Sequence, residues 1–131
     1  EAMKFQMTGK IVDAEPRLSV RMTKKRLALG RGKREYMVID SGFTGSVAIP
    51  EEWGERLDLG YAGIQSFALA NGQAVEFPTY LGVVRIGDAE ALFEFIVMGE
   101  PLLGMEFFER LGARLVIDCA TGKVLVEGEI V

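Results

Sequence analysis

The chain has 131 residues, of which 49% are apolar and 26% charged, and its formal net charge is -4. This length and apolar content suit one ordinary domain with one core, so we expect residues 1–131 to form a single domain. The acidic balance disfavours nucleic-acid binding, and no apolar run reaches the roughly 18 residues of a membrane span. We therefore expect a soluble protein that binds neither nucleic acid nor a membrane.

Histidine is absent and Cys119 is the only cysteine. This excludes Ser-His-Asp and Cys-His catalysis and an ordinary zinc site, and we expect no metal or cofactor. A lone cysteine suits the reducing cytoplasm. The start lacks the apolar stretch of a secretory signal, and we interpret Met3 as the natural first residue behind a cloning remnant of Glu1 and Ala2. If the protein is a hydrolase, carboxylates are the leading candidates for its acid and base chemistry.

Short runs of Val, Ile, Leu and Phe, separated by Gly, Asn or Asp, predict many strands joined by turns. Asn71-Gly72 predicts a hairpin with a type I′ turn, and Gly87-Asp88 and Thr121-Gly122 predict two further turns. In chain order, the predicted strands are residues 4–12, 17–23, 34–39, 46–49, 64–70, 73–85 and 89–97, followed by a final pair around Thr121-Gly122. Residues 50–57 predict a weak helix of one or two turns, and residues 106–111 predict a short helix that stops at Gly112.

One predicted strand runs directly into an acid, a hydroxyl and a glycine, as Met37-Val38-Ile39-Asp40-Ser41-Gly42. This order places a carboxylate at the tip of a rigid β element. Asp-Ser-Gly is also a common turn, so the triplet alone does not define a catalytic site. A second segment, Leu102-Leu103-Gly104, is followed at once by the predicted helix, and it strengthens the catalytic interpretation.

Together the two segments resemble the retropepsin-like aspartic proteases. In that family an apolar strand ends in Asp-Thr/Ser-Gly, and two apolar residues and a glycine later pass behind the catalytic loop and enter a helix. The chain is most similar to the cellular branch with Phe after the triplet, here Asp40-Ser41-Gly42-Phe43, with Ile49-Pro50 just beyond. The resemblance covers about residues 37–126.

The resemblance implies an all-β, single-lobed retropepsin-like β-barrel of the acid protease fold, with one short helix after Leu-Leu-Gly. It implies an aspartic endopeptidase, a hydrolase of peptide bonds. Two nearby carboxylates cannot both ionise easily, so a pair holds an acid and a base together. Because the chain has one such triplet, we expect a homodimer in which each subunit contributes Asp40 and a water held between them attacks the peptide.

The same resemblance implies supporting roles for other residues. Ser41 would bond across the dimer, Gly42 would allow close approach, and Leu102, Leu103 and Gly104 would lie behind the active site. Thr44 would add a hydroxyl near the carboxylates, or else cap its own loop. The hairpin tip of Ala70, Asn71 and Gly72 would close over a peptide substrate as a flap, or else be an ordinary surface hairpin. The chain departs from the family at Phe43, where pepsin-type relatives have a supporting serine, and at Glu106, a poorer helix cap than Asp or Asn.

Two other functions are weighed against the protease. The first is a catalytically inactive binding or assembly module with the same fold. The second is a nucleic-acid binder that uses the basic stretch of Lys24, Lys25, Arg26, Arg31, Lys33 and Arg34, which we interpret instead as a solvated loop. The C-terminal run, residues 124–131, is apolar enough to join an intersubunit sheet, or else to be an edge strand.

Overall fold

The computed structural model describes residues 3–23, 33–57 and 59–130. Glu1 and Ala2, interpreted above as a cloning remnant, lie outside the described residues, as do Lys24, Lys25, Arg26 and Arg31 of the basic stretch. No helix among the described residues is long and apolar enough to cross a membrane.

The described chain is mostly β, as the sequence predicts, with two short helices. The strands are β1 (Met3–Val12), β2 (Glu15–Thr23), β3 (Lys33–Ile39), β4 (Val47–Ile49), β5 (Gly60–Ala68), β6 (Ala74–Ile86), β7 (Ala89–Val97), β8 (Leu102–Leu103), β9 (Arg114–Asp118) and β10 (Lys123–Ile130). Helix α1 (Trp53–Arg56) is a single turn, and helix α2 (Met105–Arg110) follows β8 directly.

The strands form one sheet that curls back on itself. Their order is β5-β6-β7-β4-β8-β3-β2-β1-β10-β9, and an additional pairing joins β6 to β2. That pairing closes β2, β3, β8, β4, β7 and β6 into a ring, while β1, β10 and β9 extend the sheet beyond β2. A closed ring hides the unpaired strand edges that an open sheet would expose.

The hydrophobic core lies between the strands and helix α2. Apolar residues alternate with polar ones along the strands, and because every second side chain of a strand points to the same face, the apolar side chains face the core. Phe107 of α2 is fully buried, and its ring centroid lies 4.8 Å from that of Phe93 on β7. The largest fully buried side chains are Phe93, Phe95, Phe107, Leu18, Met22, Met37, Ile49, Ile86, Leu103, Val20, Val47 and Val84.

The turns confirm two predictions and correct a third. Gly87 and Gly122 adopt the positive φ of the predicted turns, at 61° and 72°. The type I′ prediction for Asn71-Gly72 is wrong, because Gly72 has φ 85° whereas Asn71 is not among the residues of positive φ. Gly72 N–H donates to Leu69 O instead, which is typical of a turn followed by a glycine bulge.

Two consecutive positive φ values occur in another hairpin. Asp13 and Ala14, with φ of 52° and 64°, connect β1 to β2 between the paired residues Val12 and Glu15. Alanine is uncommon in this left-handed region because its Cβ crowds the backbone. The sequence therefore gives little indication of this turn.

The C-terminal strand is paired on both sides over most of its length. β10 pairs with β1 from Lys123 to Ile130, and with β9 from Lys123 to Glu127. Over residues 124–127 the run is therefore not an edge strand, because β9 is the edge at this end of the sheet, whereas residues 128–130 pair with β1 alone.

Candidate functional site

Asp40 lies immediately after β3, at the point where the strand leaves the core. Met37 and Ile39 of β3 are buried, and this anchors the strand up to the residue before the acid. Asp40 N–H donates to Leu103 O at 3.0 Å, and Val38 N–H donates to Pro101 O at 2.9 Å. The backbone that carries the carboxylate is thus held by the segment that precedes helix α2.

The Asp40 turn is closed by two hydrogen bonds. Gly42 N–H donates to the carboxylate oxygen Oδ1 of Asp40 at 2.9 Å, and Phe43 N–H donates to Asp40 O at 3.1 Å. A Cβ at position 42 would lie 3.2 Å from Oδ1, closer than most real contacts. Asp40 is partly buried, and within the described residues no other hydrogen bond reaches its carboxylate.

Strand β8 lies between the two strands that flank the Asp40 turn. It pairs in parallel with β3, through Val38–Leu102 and Ile39–Leu103, and antiparallel with β4, through Val47–Leu103. Leu102 and Leu103 therefore lie between the strand that leads into Asp40 and the strand that follows the Asp40 loop, and Gly104 comes directly after them. At two residues, β8 is too short for sequence periodicity to identify as a strand.

Gly104 is in close contact with the loop that follows Asp40. A Cβ on Gly104 would lie 2.1 Å from Gly45 O and 2.6 Å from both Phe43 Cδ2 and Phe43 O. Gly104 N–H donates to Ser46 O at 2.9 Å, and Met105 N–H donates to Phe43 O at 2.9 Å. Only glycine fits here, because any side chain would push the loop away from α2.

Glu106 has a role that the sequence did not indicate. Gly104 is the N-cap of α2, so Glu106 lies in the first turn and does not cap the helix. Its Oε1 accepts a hydrogen bond from the hydroxyl of Ser46 at 2.9 Å, and Ser46 is buried. The pair links α2 to the loop before β4, and a carboxylate at a helix N-terminus is also favoured by the helix dipole.

A cleft of about 530 Å³ opens beside Asp40. Two of its lining residues form an ion pair, in which Arg17 Nη2 lies 3.0 Å from Glu15 Oε1. Sequence reasoning did not select either residue, because nothing in the local pattern brings the start of β2 next to the end of β3. The cleft is lined by Ala14, Glu15, Pro16, Arg17, Tyr36, Val38, Ile39, Asp40, Glu100, Pro101 and Leu102.

The remaining predicted site residues are exposed. Ser41, Gly42 and Thr44 lie on the surface of the Asp40 loop, and Ala70, Asn71 and Gly72 form the exposed tip of the β5–β6 hairpin. Within the described ranges the tip makes no hydrogen bond to the Asp40 loop. The structure thus joins Asp40 to Leu102, Leu103 and Gly104, whereas the flap role remains a prediction.

Comparison with known proteins does not assign the chain to a family. No model of a known family matches the chain, and no curated protein matches it either. Among residues 3–23, 33–57 and 59–130, no cluster of three or more Cys, Asp or Glu side chains is arranged to hold a metal ion. A function can therefore be inferred only from the geometry of the Asp40 turn and its cleft.

Proposed function

We propose that the protein is a homodimeric, retropepsin-like aspartic endopeptidase in which Asp40 pairs with the same residue of a second chain. The observation that carries this proposal is the position of Asp40. Asp40 directly follows a core strand and lines a cleft. It belongs to a turn whose backbone is hydrogen-bonded to β8 and to the start of α2. A rigid support of this kind is what a catalytic side chain needs to hold a productive geometry.

A single carboxylate cannot perform both halves of the proposed reaction. A lone exposed aspartate is a weak base at neutral pH, and hydrolysis of an amide also needs an acid for the leaving nitrogen. The exposed Ser41, Gly42 and Thr44 beside Asp40 leave the turn accessible to a second copy. Twofold symmetry would then bring the two carboxylates together on the axis, where they would share one proton.

In the proposed reaction, a water molecule lies between the two Asp40 carboxylates. The ionised carboxylate takes a proton from the water as its oxygen attacks the scissile carbonyl carbon, and the protonated one donates to the carbonyl oxygen. The tetrahedral intermediate then collapses, the C–N bond breaks, and the leaving nitrogen takes up a proton from the pair. No covalent bond to the enzyme forms at any stage.

The cleft beside Asp40 suits an extended peptide. Tyr36 and Leu102 offer apolar contacts along its wall, and the Glu15–Arg17 pair offers polar ones. The β5–β6 hairpin would close over the bound segment, with Ala70, Asn71 and Gly72 at its tip. Strand-like peptides bind such clefts mainly through main-chain hydrogen bonds. We also propose that the protein acts in the cytoplasm, because the exposed thiol of Cys119 has no disulfide partner within the chain.

The test is cleavage of denatured, fluorescently quenched casein by Asp40→Asn, with Asp118→Asn as a matched control. Asp118 is also an aspartate at the end of a strand, β9, and its carboxylate accepts a backbone N–H from two residues on, Ala120, at 3.0 Å. Loss of general acid–base catalysis should lower the rate of Asp40→Asn by at least about 100-fold. Asp118→Asn should keep the wild-type rate, and full activity of Asp40→Asn would refute the proposal.

A specific observation favours the inactive assembly module as a second candidate. β10 is already paired with β1 and β9, so most of the C-terminal strand has no free edge for an intersubunit sheet. A dimer would then need other contacts. Sedimentation at the concentration of the cleavage assay decides between the two: a dimer is expected for the enzyme, whereas a monomer without casein cleavage supports the inactive module.

A further inference from the structure

Three arginines line one pocket on the outer face of the sheet, away from Asp40. The pocket has a volume of about 260 Å³, and Arg21, Arg34 and Arg85 reach it from β2, β3 and β6. Polar groups of Gln6, Thr8 and Ser19 belong to the same lining. None of the residues that line this pocket lines the cleft beside Asp40.

Strand register sets the arginines side by side. Arg21 and Arg34 are directly opposite partners in the β2–β3 ladder. In the β2–β6 ladder Met22 is opposite Val84, and one step further along the same register sets Arg21 opposite Arg85. Neighbouring residues on these strands, such as Met22 and Val84, are buried, so alternation directs the arginines to the outer face.

This row concentrates positive charge. Like charges directly opposite each other destabilise a sheet, and a guanidinium is always protonated in a protein. Two acidic residues lie nearby: Asp88 Oδ1 is 3.9 Å from Arg85 Nη2 with its side chain 91% exposed, and Glu90 is opposite Arg85 in the β6–β7 ladder. Arg34 donates to a neutral acceptor, Ser19 Oγ, at 3.1 Å. Among these five charged side chains the cations remain in excess.

We propose that this pocket binds a tetrahedral oxyanion, either free inorganic phosphate or the phosphate group of a monoester. A guanidinium offers two parallel N–H donors that match two oxygens of a phosphate, and neighbouring guanidiniums can donate hydrogen bonds to the same ion. The hydroxyls of Thr8 and Ser19 supply further donors.

The site is distinct from the proposed catalytic one. Arg34, on β3, precedes Asp40, which follows β3, by six positions, and this corresponds to about 20 Å along an extended chain. Binding of phosphate therefore does not depend on the protease proposal. Asp40→Asn should bind phosphate as the wild type does, so the two proposals can fail separately.

The experiment is isothermal titration of the full chain with inorganic phosphate and, in a second arm, with adenosine monophosphate. Sodium chloride at equal ionic strength controls for screening. Arg34→Gln should weaken phosphate binding by at least about tenfold, and Arg34→Lys, which keeps the charge but loses the two-pronged donor, should weaken it less. Arg114→Gln is the matched control, because Arg114 is an exposed arginine that pairs with Glu127 at 2.6 Å.

Tighter binding of inorganic phosphate would identify the free ion as the ligand, and tighter binding of the nucleotide would identify a monoester. Equal affinities would mean that the phosphate group alone is recognised. The proposal is overturned if neither ligand binds more strongly than chloride, or if folded Arg34→Gln and Arg114→Gln bind phosphate equally well.

Discussion

Gly104→Ala is expected to be strongly destabilising. The added Cβ would lie 2.1 Å from Gly45 O and 2.6 Å from Phe43 O, and backbone oxygens cannot turn aside as a flexible side chain would. Overpacking of this kind costs about 1–3 kcal/mol, and two hydrogen bonds of 2.9 Å at the same corner are loosened as well. We expect a loss of about 3–4 kcal/mol in the free energy of unfolding, a large share of a typical domain's stability.

The assay is urea unfolding followed by circular dichroism, at one fixed protein concentration. Gly60→Ala is the control, because a Cβ there would meet only Leu81 O at an ordinary 3.7 Å. We expect the control to stay within about 1 kcal/mol of wild type. Equal unfolding free energies for Gly104→Ala and Gly60→Ala would show that the corner between β8 and α2 does not hold the Asp40 loop in place.

Three further substitutions test other parts of the structure. Ser46→Ala should lower the free energy of unfolding in urea by about 1 kcal/mol, because it removes the buried hydroxyl that donates to Glu106. A loss no greater than that caused by replacing an exposed serine with alanine would exclude this role. Backbone and hydroxyl hydrogen bonds from Thr121 are the main causes that lower the pKa of Asp118 below 3.8, so its stabilisation is present above pH 3.8 and is lost as pH falls through the lowered value. The stability advantage of wild type over Asp118→Asn should therefore narrow on acidification, and a constant gap would contradict this assignment. Ala14→Gly should raise the free energy of unfolding by about 0.5–1 kcal/mol, because glycine adopts a φ of 64° without strain. A lower free energy of unfolding would count against the left-handed conformation.

Strand alternation and turn residues predicted the mostly β content and most of the strands. Residues 89–97 and the pair closed by Thr121-Gly122 follow simple periodicity, and the structure has strands at β7, β9 and β10. The helix predicted for residues 106–111 lies at Met105–Arg110, and Gly112 ends it with φ 58°. These elements were predictable because short-range preferences and burial agree in them.

Other features depend on contacts distant in sequence. The β1–β2 turn uses Ala14 in a conformation that its residue type disfavours, so only the pairing of the two strands determines it. β8 is defined by its neighbours β3 and β4, since two residues have no periodicity of their own. The arginine row needs the register of three strands, and this is why Arg21 and Arg85 did not stand out in the sequence.

The most direct test of a shared Asp40 pair is a subunit-mixing experiment. Wild-type and Asp40→Asn chains are unfolded together, refolded at equal amounts and fixed total concentration, and assayed for casein cleavage. If activity needs one Asp40 from each of two subunits, only about one quarter of the dimers retain both, and the rate should fall to about one quarter of the wild-type rate. A rate of about one half would mean that each chain acts alone, and an undiminished rate would mean that Asp40 is not catalytic.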